Sequence, residues 1–146
     1  GTDGSHAPIL GRTIGGSRAP ITPELAAQKD YNAVLMKGRE VYKEAVARMT
    51  EAAHVALGTA GMGLDEVDLF VPHQANLRII QAVGKSLGLP AERVFINVQE
   101  YGNTGSASVP LGLWDARRQG LLRPGMRVLM TAFGAGFHWA GAVARF

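Results

Sequence analysis

"VDLFVPHQANLRII", residues 67–80, changes its periodicity in the middle. The opening "VDLFV" is short, β-branched and apolar, as befits a strand covered on both faces. From Gln74 to Leu87 the spacing is helical instead, with Ile79, Val83 and Leu87 four apart and Gly88, Leu89 and Pro90 as the stop signal. His73 therefore stands where a strand gives way to a helix.

The same alternation continues outward. Residues 5–10 predict a short strand, followed by "GRTIGGSRAPITPE", whose glycines and prolines read as a loop without a legible role. From Gly38 to Leu57 the residues Val41, Tyr42, Ala45, Val46, Met49, Ala53 and Ala56 form one apolar helical face, ended by Gly58, Gly61 and Gly63. "RVFINV", residues 93–98, predicts another buried strand, and "YGNTGSAS" leads into a helix running to about Gln119. Pro110 falls inside that helix and predicts a kink. "MRVLMTAF" and "FHWAGAVARF", separated by "GAG", read as a hairpin. The order strand, helix, strand, helix, strand, helix, strand, strand predicts an α/β domain with a mixed, mostly parallel sheet and helices on both faces.

Composition narrows the function. The 146 residues suit one domain, and charged residues make up only 18%, below the usual quarter or so. This suggests a surface partly covered by something else. A net charge of +3 comes from scattered arginines rather than a basic run with aromatics, which disfavours nucleic acid. With no cysteine, disulfides, thiolate metal sites and a cysteine nucleophile in this chain are excluded. No apolar run reaches the roughly 18 residues of a membrane span, and no signal-peptide pattern opens the chain, so a cytoplasmic location is expected. The start "GTDGSHAPIL" lacks a methionine and reads like part of something longer.

In open α/β sheets, ligands gather at the carboxyl ends of the strands. "PHQAN", "YGNTGS" and "FGAG" occupy such ends here, so adjacent strands would bring His73, Asn103 and the amides around Ala135 together. The positive end of a helix dipole would keep His73 neutral near pH 7. A neutral imidazole and the Asn103 carboxamide each offer a hydrogen-bond donor, with Gly102 and Gly105 leaving room beside them. Two such donors suggest an oxyanion pocket. Helix capping by the histidine and turn chemistry by the asparagine are the plain alternatives. His6, His54 and His138 lack metal-ligand spacing and read as surface or core residues, and no metal is expected. Arg117, Arg118 and Arg123 read as a solvated face.

"VPHQANLRII", "YGNTGSASVPLGL" and "AFGAGFHWAGAVARF", in order and at matching spacing, resemble the C-terminal half of β-ketoacyl-acyl carrier protein synthase III. The resemblance runs from Asp3 to Phe146 and covers residues 1–146 as one half of a condensing enzyme. It implies a thiolase-like half with a five-stranded mixed sheet, a homodimer, and a Cys-His-Asn triad whose cysteine lies in the absent N-terminal half. It implies decarboxylative condensation of an acyl coenzyme A primer with malonyl-acyl carrier protein, initiating fatty acid synthesis. Coenzyme A thioester would be a substrate, with no permanently bound cofactor. By the same resemblance, His73 and Asn103 would be the second and third triad members. Residues 134–136, Gly134, Ala135 and Gly136, would form the oxyanion loop. Gly38, Tyr42, Asn76 and Phe133 would bind substrate, and Arg78 would dock the carrier protein. A starter-unit or polyketide-type acyltransferase of the same fold is the alternative, as is a non-catalytic binding or assembly fragment.

Overall fold

In the computed structural model, which describes residues 1–28 and 33–146, the first segment departs from the expected strand over 5–10. The Asp3 carboxylate accepts from the Ser5 amide at 3.0 Å and its hydroxyl at 2.6 Å, capping a 3₁₀ turn over Gly4–Ile9. That turn contains Pro8, which has no N–H to give a ladder. Only β1, Leu10–Gly11, remains extended, and it pairs antiparallel with β2, Leu35–Met36. The segment between them includes a short helix, α1, Pro23–Ala26.

The long amphipathic helix is present as α2, Gly38–Ala60, burying Val41, Ala45, Met49, Ala53 and Leu57. β3, Leu69–Pro72, is buried along its whole length, as its unalternating apolar sequence requires. α3, Leu77–Ser86, starts three residues later than Gln74 because Asn76 Oδ1 accepts the Arg78 amide at 2.9 Å and fixes the N-terminus there.

"RVFINV" is not a strand. Ala91–Arg93 form a 3₁₀ turn, and one parallel bridge joins Val94 to Phe70, with Phe95 N donating to Phe70 O at 2.9 Å. A parallel ladder would next need an N–H from residue 72, and Pro72 has none. The Gln74 side chain takes its place: Nε2 donates to Phe95 O at 3.1 Å and Oε1 accepts from Asn97 N at 2.9 Å. The chain then turns into α4, Val98–Tyr101, a 3₁₀ turn over Gly105–Ala107, and α5, Ser108–Arg118. Because α5 begins at Ser108, Pro110 is its third residue, where an N–H has no intrahelical partner to lose. The expected kink is therefore unnecessary.

β4, Arg127–Gly134, lies parallel beside β3 with Pro72 opposite Thr131. It returns antiparallel as β5, His138–Arg145. Among the described residues the strands form a two-stranded sheet and a mixed three-stranded sheet of order β3-β4-β5, in place of one five-stranded sheet. The expected mostly parallel pairing is corrected as well: of the strand pairs only β3-β4 is parallel, because residues 93–98 add no strand and β5 returns by a tight reversal. One apolar cluster joins α2 and α3 to one face of the larger sheet through Met49, Val83, Phe70 and Leu129. The other joins α5 to the opposite face through Ala116, Val71, Phe95 and Val128.

Candidate functional site

The parallel pairing of β3 and β4 decides where His73 goes. Its amide donates to Thr131 O at 2.8 Å, continuing the ladder one step and placing the residue beside the C-terminal half of β4. The ring is half-buried, with Nδ1 2.5 Å from Ser108 Oγ at the start of α5. Burial lowers the imidazole pKa from its ordinary value of 6.5. The expectation that a helix terminus does this is corrected in its cause: α3 begins four residues later at Leu77, and desolvation favours the neutral ring.

Asn103 arrives from the opposite side, on the loop between α4 and α5. Its Oδ1 accepts the Gly105 amide at 2.9 Å. That turn requires a left-handed backbone at Gly105, φ +59°, which a glycine adopts without strain. With the carbonyl end occupied, the carboxamide N–H₂ is the end left to meet a ligand. The side chain is exposed, unlike the half-buried His73.

His73 and Asn103 line one cavity of about 520 Å³ together with Phe133, Gly134 and Ala135. Gly38, Tyr42 and Asn76 line its other walls, although Asn76 commits its side-chain oxygen to capping α3. No non-glycine residue has positive φ among the described residues, so Ala135 keeps its amide without strain from its methyl group. Gly136 lies off this wall, in the turn where an added Cβ would meet the His138 ring. Arg78 is exposed on the first turn of α3 and also lies off the wall. His73, Gly105, Phe133 and Gly134 border a second cavity of about 370 Å³, which is also lined by His138 and Trp139. The Nδ1 of His138 is 2.6 Å from Thr2 Oγ1.

Sequence reasoning passed over three contributors. Ser108 is buried against His73, and only its place at the end of "YGNTGSAS" hinted at it. Gln74 is buried and ties the His73 junction to residues 95–97. Leu10 and Met36 bring the small sheet to the cavity with Val34 next to it, and the apolar residues at 9–10 and 34–36 were the available signal. Among the described residues no three His, Asp or Glu side chains cluster to hold a metal ion. No helix among them is long and apolar enough to cross a membrane.

Comparison with known proteins connects this geometry to a family. The sequence pattern of "3-Oxoacyl-[acyl-carrier-protein (ACP)] synthase III C terminal" matches residues 57–146. A β-ketoacyl-[acyl-carrier-protein] synthase III of Nitratidesulfovibrio vulgaris is 51% identical over 146 residues, covering 99% of this chain and 43% of the relative. The crystal structure of the synthase III from Thermus thermophilus superposes with a TM-score of 0.86 at 46% identity, over 100% of this chain and 44% of that one. The priming β-ketosynthase of the R1128 polyketide pathway superposes at 0.82 with 35% identity, over 100% of this chain and 43% of its own. The chain thus spans less than half the length of the relatives it matches, and its fold is the thiolase-like α/β architecture they share. With more than half of its residues inside the family pattern, the chain belongs to the β-ketoacyl-[acyl-carrier-protein] synthase III family and corresponds to the C-terminal half.

Proposed function

We propose that this chain supplies the histidine and asparagine of a Cys-His-Asn condensing site, with the cysteine coming from an N-terminal half. The observation that carries the reading is the shared cavity. His73 and Asn103 both line it, and the Asn103 oxygen is engaged by the Gly105 amide. In the proposed reaction, the cysteine thiolate takes an acyl group from acyl coenzyme A, and the thioester C–S bond breaks to release the coenzyme A thiolate, which takes a proton from water. Malonyl-acyl carrier protein then loses carbon dioxide, and the electron pair of the broken C–C bond passes to an enolate. His73 Nε2–H and Asn103 Nδ2–H stabilise the enolate oxygen, each donor contributing about 3 kcal/mol in a site shielded from water. The enolate carbon attacks the acyl thioester, a C–C bond forms, and the cysteine thiolate leaves.

The Ala135 amide, with that of the cysteine, would hold the acyl oxyanion during this last step. Gly38, Tyr42, Asn76 and Phe133 line the same cavity and would form the route for the pantetheine arm. Arg78, exposed beside the cavity-lining Asn76, suits an acidic carrier protein. The coenzyme A thioester is a substrate, and the complete enzyme would be a homodimer in the cytoplasm. Likeness to a polyketide-priming ketosynthase supports a second reading, in which the primer serves that class of pathway. Condensation assayed across short, branched and aromatic acyl coenzyme A primers separates the two.

The central test is malonyl decarboxylation by the assembled enzyme with His73→Ala or Asn103→Ala. Each is expected to lower the rate by about 100-fold or more. Unchanged rates in both variants would instead favour a non-catalytic binding fragment.

A further inference from the structure

Ser108 is the first residue of α5, only 2% exposed, and its hydroxyl lies 2.5 Å from Nδ1 of His73. A contact this short between a hydroxyl and an imidazole nitrogen is a hydrogen bond whose direction decides the ring's chemistry. If Nδ1–H donates, the serine proton must find a second acceptor within the packed start of the helix. Among the described residues the Ser108 hydroxyl has no hydrogen-bond partner other than His73, so no carbonyl of that turn stands within reach of its proton. If the hydroxyl donates, one contact satisfies both the buried O–H and the ring's lone pair.

We infer that Ser108 is a positioning residue, donating its hydroxyl proton to His73 Nδ1 and thereby fixing the tautomer that carries its proton on Nε2. This inference rests on the proposed donor role of His73 and adds the device that makes the donor available. In a neutral imidazole only one nitrogen bears hydrogen, so a ring left to choose would present a lone pair to the cavity part of the time. A lone pair facing an enolate oxygen repels it. The serine also sets the ring plane, since α5 is anchored on β3 by the close approach of Gly112 to Val71.

The test uses the full-length protein labelled with ¹⁵N-histidine, comparing the wild type with Ser108→Ala and Ser108→Thr. The His73 resonances are assigned from a His73→Gln sample. In the wild type and Ser108→Thr, Nδ1 should resonate as an unprotonated nitrogen and Nε2 as a protonated one. Ser108→Ala should populate the Nδ1–H form and lower malonyl decarboxylation kcat about tenfold, with little change in KM. The threonine variant should restore the rate. A wild-type ring protonated on Nδ1 would overturn the inference, as would a Ser108→Ala ring with unchanged tautomer and rate. A wild-type protein without decarboxylase activity would count against the proposed function instead, and the nitrogen shifts would still decide the role of Ser108.

Discussion

Asn103 Oδ1 accepts the Gly105 amide at 2.9 Å, and this one bond fixes which end of the carboxamide meets the cavity. Asn103→Asp should keep the turn, because a carboxylate accepts the same amide. It places a second acceptor where the donor stood. Malonyl decarboxylation should fall by about 100-fold or more, while urea unfolding shifts little. A variant that unfolds more easily but decarboxylates normally would assign Asn103 to the turn alone.

Burial of His73 couples protonation to folding. Its folded-state pKa lies below the ordinary 6.5, so the unfolded chain binds the proton more readily. Stability should be unaffected by this group well above 6.5, fall as pH drops through that value, and level off once the folded-state pKa is passed. His73→Gln should flatten this part of the profile. Urea midpoints measured between about pH 5 and pH 8 check it, and parallel wild-type and variant curves would count against a desolvated ring.

The large elements and the His73 junction were legible because their signals are local. An unalternating apolar run, a helical stripe on α2 and the "GAG" reversal each act within a few residues. Asn103, Ala135 and the Tyr42 face of α2 could likewise be placed at one cavity from loop order and family resemblance. What sequence reading missed depends on single atoms across the chain. Pro72 lacks the N–H that would have extended the sheet to residues 93–98, and Gln74 fills the gap from 21 residues away. Ser108 reaches His73 across 35 residues. The strand expected at 5–10 failed locally, because Asp3 capping favours a 3₁₀ turn over extension.

Gln74 provides the next test, since its amide stands in for a missing strand backbone. Gln74→Leu keeps the volume but removes the partners of Phe95 O and Asn97 N, both in a buried setting. The cost should be about 2–4 kcal/mol in urea unfolding. Hydrogen exchange at the Asn97 amide should accelerate with it. Retained protection there would mean that another acceptor serves that amide.

Gly112 offers a prediction in which two effects compete. Alanine favours a helix interior over glycine by about 1 kcal/mol. At this position, however, an added Cβ would stand 2.9 Å from Val71 Cγ1 and 3.7 Å from Phe95 Cδ1, where α5 rests on β3. Valine is stiff about χ1 and cannot swing clear, so overpacking of about 1–3 kcal/mol should win and Gly112→Ala should destabilise the protein. The displaced helix carries Ser108 one turn earlier, so decarboxylation should fall as well. Val71→Ala in the same chain makes room for the new methyl group. The double variant should therefore unfold later than the sum of the two single changes implies, and urea unfolding of all four proteins measures that coupling. Simple additivity would show that α5 does not depend on close approach at Gly112.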